Sequence, residues 1–190
     1  KNALQGLYLP PDQLVPSFEQ YAEATTGALM EALRERSESG KPLPELVLET
    51  GRAVVDDAGV LVTTVVGGKG LPDGRRAAIV DAGVNLLFTA FWYNHDVRPT
   101  RPLDGIAEET VIYGPLCMNI DVVRASLMLP PLDVGEPLVI RPAGAYNNTQ
   151  WMQFIQYRPA VVMVRENGAV EVIREGETLL TTLALFHTNA

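Results

Sequence analysis

The chain has 190 residues, 47% of them apolar and 20% charged, with a net charge of −8. That is ordinary globular composition with room for a buried core. Its longest basic run is the pair Arg75–Arg76, which makes nucleic acid and anionic membrane poor partners. The single cysteine, Cys117, excludes an intrachain disulfide framework and favours a reducing, cytoplasmic setting. No segment approaches the roughly 20 apolar residues of a membrane span, and the opening Lys1-Asn2-Ala3-Leu4-Gln5 has no apolar signal core. The start without Met leads us to expect an internal start, with residues upstream.

Residues 1–16 read as a loop containing Pro10, Pro11 and Pro16. A helix is predicted next: Ser17 is a favourable N-cap, Gln20 completes a capping box, and Phe18, Tyr21, Thr25, Leu29 and Leu33 recur at helical spacing as one buried stripe. Gly40 and Pro42 should end it. The short apolar run Leu46-Val47-Leu48 then reads as a buried strand ending in Glu49-Thr50-Gly51-Arg52. Helix, loop and strand together resemble the last repeat of an α/β barrel, which cannot fold alone. After residue 52 the pattern turns β-rich. Strands are predicted over 60–66 (closed by Gly67-Gly68), 77–80, 110–113, 137–140 and 161–164. Asn167-Gly168 suits a type I′ hairpin turn into a return strand over 170–173, and 177–185 suits a short closing helix. The expected class is therefore α+β: a C-terminal β-barrel or sandwich domain over 53–190, preceded over 1–52 by the last helix and strand of an α/β barrel.

Four short motifs carry chemistry. Glu49-Thr50-Gly51-Arg52 at a strand end can cradle an anion, since Gly admits the backbone and Arg gives a charge-assisted contact; the same residues also suit a plain turn with a surface Arg. Val80-Asp81-Ala82-Gly83 leads into Phe88, Phe91, Trp92 and Tyr93, which can wall a pocket, fill an interface or form core. Gly114-Pro115-Leu116-Cys117-Met118-Asn119-Ile120-Asp121 puts a thiol in a Gly-Pro loop, where function concentrates; most lone cysteines are nonetheless small buried hydrophobes. In Gly144-Ala145-Tyr146 the hydroxyl can donate to phosphate, while Asn148 or Thr149 can cap the next segment. The histidines, His95 and His187, have no metal-ligand spacing with Cys117, and there is no Gly-x-Ser-x-Gly elbow or phosphate-binding Walker loop.

In this order, with Arg158-Pro159 before the strand at 161–164, the motifs resemble the fold type III pyridoxal-phosphate-dependent decarboxylases, the group containing diaminopimelate, ornithine and biosynthetic arginine decarboxylases. The similarity covers about residues 17–180. It implies a cofactor-carrying α/β barrel, a β-rich C-terminal domain, and a homodimer with shared active sites. It implies that Glu49 pairs with the pyridine nitrogen, keeping the ring an electron sink, and that Gly51, Arg52 and Tyr146 hold the cofactor phosphate. Cys117 would reach the partner's site and reprotonate the α-carbon, with Asp121 at the same place, and Tyr93, Met118 and Asn119 would face substrate.

The chain also departs from the family. The lysines are Lys1, Lys41 and Lys69, and none matches the family's Schiff-base position, so an incomplete barrel and an incomplete enzyme are expected. Met118 stands where the family carries an acidic residue that reads a distal amino group, and Thr89 stands near the place of an Arg that holds a distal carboxylate. Thr50 replaces a Pro. A site lacking that acid binds a free ammonium poorly, so the expected substrate is an amino acid with a masked or conjugated distal end, which Asn119, Asn147 and Gln150 could hydrogen-bond. A non-catalytic, protein-binding homologue and a racemase are the competing readings. Retention of Glu49, Arg52, Cys117, Asp121 and Tyr146 argues against the first, and the Gly-Pro-x-Cys-x-x-x-Asp segment argues against the second.

Overall fold

The computed structural model describes residues 16–186. The loop read over the first fifteen residues, and His187, fall outside them. The chain divides into two compact units, a helical one, Tyr8–Gly51, and a β-rich one that begins at Arg52.

In the helical unit, α1 (Phe18–Ala32) starts where its capping box predicts: Ser17 Oγ accepts the Gln20 N–H at 3.2 Å and Gln20 Oε1 accepts the Ser17 N–H at 2.9 Å. The helix breaks at Leu33 and continues as α2 (Arg34–Glu38), ending before Gly40, whose φ of +70° only glycine adopts without strain. Two expectations fail here. No residue of α1 is buried: Thr25, Leu29 and Leu33 are half-covered, and Phe18 and Tyr21 are exposed. Residues 46–48 form no strand, and all three are exposed. The reason is common to both. An apolar stripe or strand is completed only by a facing surface or a hydrogen-bonded neighbour, and α2 with its irregular tail offers this unit neither.

The β-rich unit holds β1 (Leu61–Gly70), β2 (Arg76–Val80), β3 (Asp96–Pro99), β4 (Glu108–Tyr113), β5 (Val122–Leu129) and β6 (Pro137–Arg141). They form one mixed sheet, ordered β3-β6-β1-β2-β4-β5 and nearly closed into a barrel. Gly67-Gly68 does not end β1. The strand runs on to Gly70 through a bulge between Val65 and Gly67, so the glycines mark an irregularity, not a terminus. Alternating residues point inward, and Val65, Val80, Ile112, Val123, Leu138 and Ile140 meet in one core. β3, which the sequence does not predict, is four residues containing Asp, Arg and Pro at a sheet edge, where a missing N–H is tolerated. β5 is likewise unpredicted, although Val123 and Leu129 are buried.

A separate hairpin pairs β7 (Val161–Val164) with β8 (Val170–Arg174), as predicted. Its turn differs. Arg165 O accepts the Gly168 N–H at 2.8 Å, and of the turn residues only Gly168 has a positive φ, +81°. The central pair is thus Glu166-Asn167 with a following left-handed glycine, the longer bulged loop instead of type I′. Thr178 caps α3 (Leu179–Leu183), inside the predicted closing helix.

Three connections bring the motifs of the β-rich unit into position. β2 and β4 are parallel, so the chain between them must cross over; that crossover carries Asp81 through Tyr93. β4 and β5 are antiparallel, and the Cys117 loop is their hairpin connection. β6 runs into Gly144-Ala145-Tyr146.

Candidate functional site

The Cys117 loop is tied to the crossover by a carboxylate. Asp121 is 2% exposed. Its Oδ1 accepts the Val84 N–H at 2.8 Å and its Oδ2 accepts the Leu116 N–H at 2.7 Å. Gly83 and Gly114 leave the space: a Cβ on Gly83 would lie 2.5 Å from Oδ1, and one on Gly114 would strike both oxygens and the Gly83 Cα. The spacing of both motifs therefore follows from one buried acid closing two loops, since an ionised carboxylate inside a fold needs such donors. Asp121 therefore has a structural task within this chain, each oxygen accepting one backbone N–H. The clip leaves Cys117 and Asn119 exposed, while Met118 packs against the core.

A second arrangement gathers the residues expected at phosphate. Arg52 Nε donates to Asp56 Oδ2 at 2.5 Å, and the guanidinium lies 3.9 Å above the Tyr93 ring. Asp56 O accepts the Gly144 N–H at 3.0 Å, and Gly59 O accepts the Ala143 N–H at 2.8 Å. A Cβ on Gly144 would collide with Val55 O and come within 2.9 Å of Asp56 O, so only glycine permits this approach. Two residues on, Tyr146 sits at φ +65°, a conformation that costs a bulky residue energy. Its ring meets Trp92 edge-on at 5.4 Å, and Trp92 meets Phe88 likewise at 5.4 Å. Tyr93 thus faces Arg52. Burial raises the pKa of its hydroxyl, against Thr89 and Arg52, which lower it. Glu49 and Gly51, both exposed and with Gly51 at φ +55°, belong to the helical unit.

Behind these lies a closed polar set. Asn147 Oδ1 accepts from the Thr89 N–H at 3.1 Å and from Thr89 Oγ1 at 2.9 Å, and Thr89 Oγ1 lies 2.8 Å from His95 Nε2. Thr89 Oγ1 and His95 Nε2 thus share one hydrogen bond, and the imidazole also meets the Pro142 carbonyl. His95 is wholly buried, and that burial lowers its pKa to about 4. Asn147 and Thr89 are buried too, which removes Asn147 from the polar residues expected to meet substrate. Gln150 keeps its Oε1 buried without a partner among the described residues.

Comparison with known proteins fits this geometry. Residues 52–144 match the family described as pyridoxal-dependent decarboxylase, C-terminal sheet domain. Diaminopimelate decarboxylase of Methanothermobacter thermautotrophicus is 37% identical over 179 residues, 91% of this chain and 40% of the relative. That of Vibrio cholerae is 34% identical over 177 residues, 92% of this chain and 40% of the relative. Diaminopimelate decarboxylase from M. jannaschii, solved in co-complex with L-lysine, superposes with a TM-score of 0.79 at 28% identity, covering 94% of this chain and 40% of that one. The chain belongs to the fold type III pyridoxal-phosphate-dependent decarboxylases, and carries their C-terminal part. It spans about 40% of the length of these curated relatives.

A family cofactor with a phosphate dianion suits the donors present. Asp56 takes only the Nε–H of Arg52, leaving the terminal nitrogens of a half-exposed guanidinium for an anion. Tyr146, at φ +65°, follows by two residues the Gly144 whose N–H donates to the Asp56 carbonyl. The structure thus groups Arg52, Tyr93 and Tyr146 in one frame, and Cys117, Met118, Asn119 and Asp121 in another. No motif marks Asp56, so sequence reasoning misses it, although an acid four residues after Arg52 is a usable signal. His95 is missed likewise, since it lacks any metal-ligand spacing. Among the described residues no cluster of His, Cys, Asp and Glu could hold a metal, and no helix is long and apolar enough to cross a membrane.

Proposed function

We propose that the full-length protein decarboxylates an amino acid at its α-carbon with pyridoxal phosphate, and that this chain supplies the phosphate grip and the proton donor. Pyridoxal phosphate, when bound, supplies an electron sink for the pair left by the departing carboxylate. Arg52 and Tyr146 hold its phosphate; the roles of Gly51 at the phosphate and Glu49 at the pyridine nitrogen are carried by the family resemblance alone. Cys117, exposed on its clipped hairpin loop, delivers a proton to the α-carbon in the partner subunit of a homodimer. That role requires a free thiol and so a reducing, cytoplasmic setting. The single observation that carries the reading is the junction of the Arg52 segment with the Gly144–Tyr146 turn, where backbone touches backbone through Gly59 and Gly144.

The relatives' names support α-decarboxylation of an amino acid with a long polar side chain. For the distal end we propose a masked or conjugated group. Met118 offers no charge and packs inward, and Thr89 is enclosed by His95 and Asn147. Neither can pair a free distal ammonium or carboxylate, and Asn119 remains as an exposed hydrogen-bonding side chain. The test is CO2 release by the full-length protein from diaminopimelate, lysine, ornithine and their distal N-acyl derivatives. Turnover of the acylated compounds at tenfold or more higher kcat/KM supports the finer reading, and a preference for free diaminopimelate ends it. No CO2 release from any of them, with cofactor bound, would end the decarboxylase reading for this set.

A further inference from the structure

Asp56 touches both sides of the phosphate frame. Its carboxylate holds the Arg52 Nε–H at 2.5 Å and its backbone carbonyl holds the Gly144 N–H at 3.0 Å, two residues before Tyr146. Its side chain is 9% exposed while that of Arg52 is 46% exposed. This is not the arrangement of a surface ion pair, in which both partners face water. It is a buried acid behind an open cation. A site needing only positive potential would do better without it, because a carboxylate beside an anion opposes binding. What the acid does supply is direction. Arg52 is otherwise a long side chain with many rotamers. With Nε held by Asp56 and the guanidinium carbon 3.9 Å over the Tyr93 ring, the side chain is fixed at two points, which orients its terminal nitrogens. The same residue's carbonyl registers the Tyr146 turn against that direction.

We propose that Asp56 is a positioning residue that locks Arg52 and the Gly144–Tyr146 turn into one phosphate-binding frame, and so sets the preference for pyridoxal phosphate over pyridoxal; this rests on the reading that Arg52 holds the phosphate. Orientation and charge make opposite predictions, which is what makes the idea testable. Removing Asp56 loosens Arg52 and weakens phosphate recognition if orientation governs. If charge governs, it strengthens recognition by removing a repelling carboxylate.

The experiment measures dissociation constants for pyridoxal phosphate and for pyridoxal by equilibrium dialysis on the full-length protein, and compares their ratio between variants. Asp56→Ala is expected to lower the phosphate preference by about tenfold or more, the scale of a lost charge-assisted contact, with the pyridoxal constant unchanged. Asp56→Asn keeps an acceptor for the Nε–H without the charge and is expected to fall between wild type and Ala. A general loss of structure moves both constants together and leaves their ratio alone, and that outcome overturns the proposal. So does a preference in either variant equal to or above wild type. If Asp56→Ala does not fold, Asp56→Asn decides. Arg52→Gln separates the two levels. If it leaves the preference intact, the phosphate role of Arg52 itself is wrong; if it abolishes the preference while the Asp56 variants do not, only the positioning role is wrong.

Discussion

Asp121→Asn changes one oxygen of the loop clip into an NH2 group and leaves its shape intact. In the native site the two oxygens accept backbone N–H groups from Val84 at 2.8 Å and Leu116 at 2.7 Å. An amide has a single acceptor oxygen, so its nitrogen must face one of the two donors. One charge-assisted bond becomes an ordinary one, and one backbone N–H is orphaned in the interior, at about 1–3 kcal/mol for the orphan and about 1 kcal/mol for the lost charge. Relaxation is blocked because Gly83 and Gly114 already have no space for even a Cβ beside the carboxylate. The expected cost is about 3 kcal/mol, felt locally. Hydrogen exchange followed by mass spectrometry on the full-length protein reads it directly: peptides spanning 83–87 and 114–121 should exchange roughly 100-fold faster, with the β7–β8 hairpin unchanged. Alkylation of Cys117 should change in the same variant. Unaltered exchange at Val84 and Leu116 would show that the carboxylate does not hold the two loops together.

Other outcomes rest on single contacts. His95 is neutral in the fold with its pKa near 4, below the ordinary histidine value of about 6.5 chiefly because it is buried. The unfolded chain takes up this proton first, so the contribution of neutral His95 is complete above about pH 6.5, declines as pH falls toward 4 and levels off below. Roughly 2–3 kcal/mol is lost between pH 7 and 4.5, and His95→Gln should flatten melting midpoints across that range; parallel pH profiles would refute it. The neighbouring Asp56, Arg52 and Arg124 bear on this titration, Asp56 upward and both arginines downward. Gly144→Ala drives a Cβ into Val55 O and should cost about 3 kcal/mol or more, read as a lower melting midpoint together with weaker cofactor binding. Gly168→Ala, at φ +81° but in open space, should cost about 1–2 kcal/mol and leave cofactor affinity untouched; an effect on affinity would mean the hairpin is coupled to the site.

Elements stabilised by their own neighbours in the chain were legible in the sequence. The Ser17–Gln20 capping box, the Gly40 stop, the β7–β8 hairpin and the Thr178 cap depend on residues only a few positions apart. The edge strand β3 was not legible, because its pairing with β6 supplies what its composition lacks. The buried face of α1 and the strand over 46–48 rest on periodicity alone, and periodicity states which face could be buried, not that something covers it.

By itself, then, the sequence determined the family through its four motifs, and named the residues proposed to grip phosphate or move a proton. Tertiary structure decided what each of them is free to do. The fold gives each oxygen of Asp121 a backbone N–H, from Val84 and Leu116, and encloses Asn147 with Thr89 and His95. Asp56 has no motif to mark it and joins the Arg52 segment to the Gly144–Tyr146 turn because Gly59 and Gly144, distant in the chain, are small enough for two backbones to touch. Hydrogen-bond capacity is a property of a residue type, but whether that capacity is already used is a property of packing between segments distant in the chain.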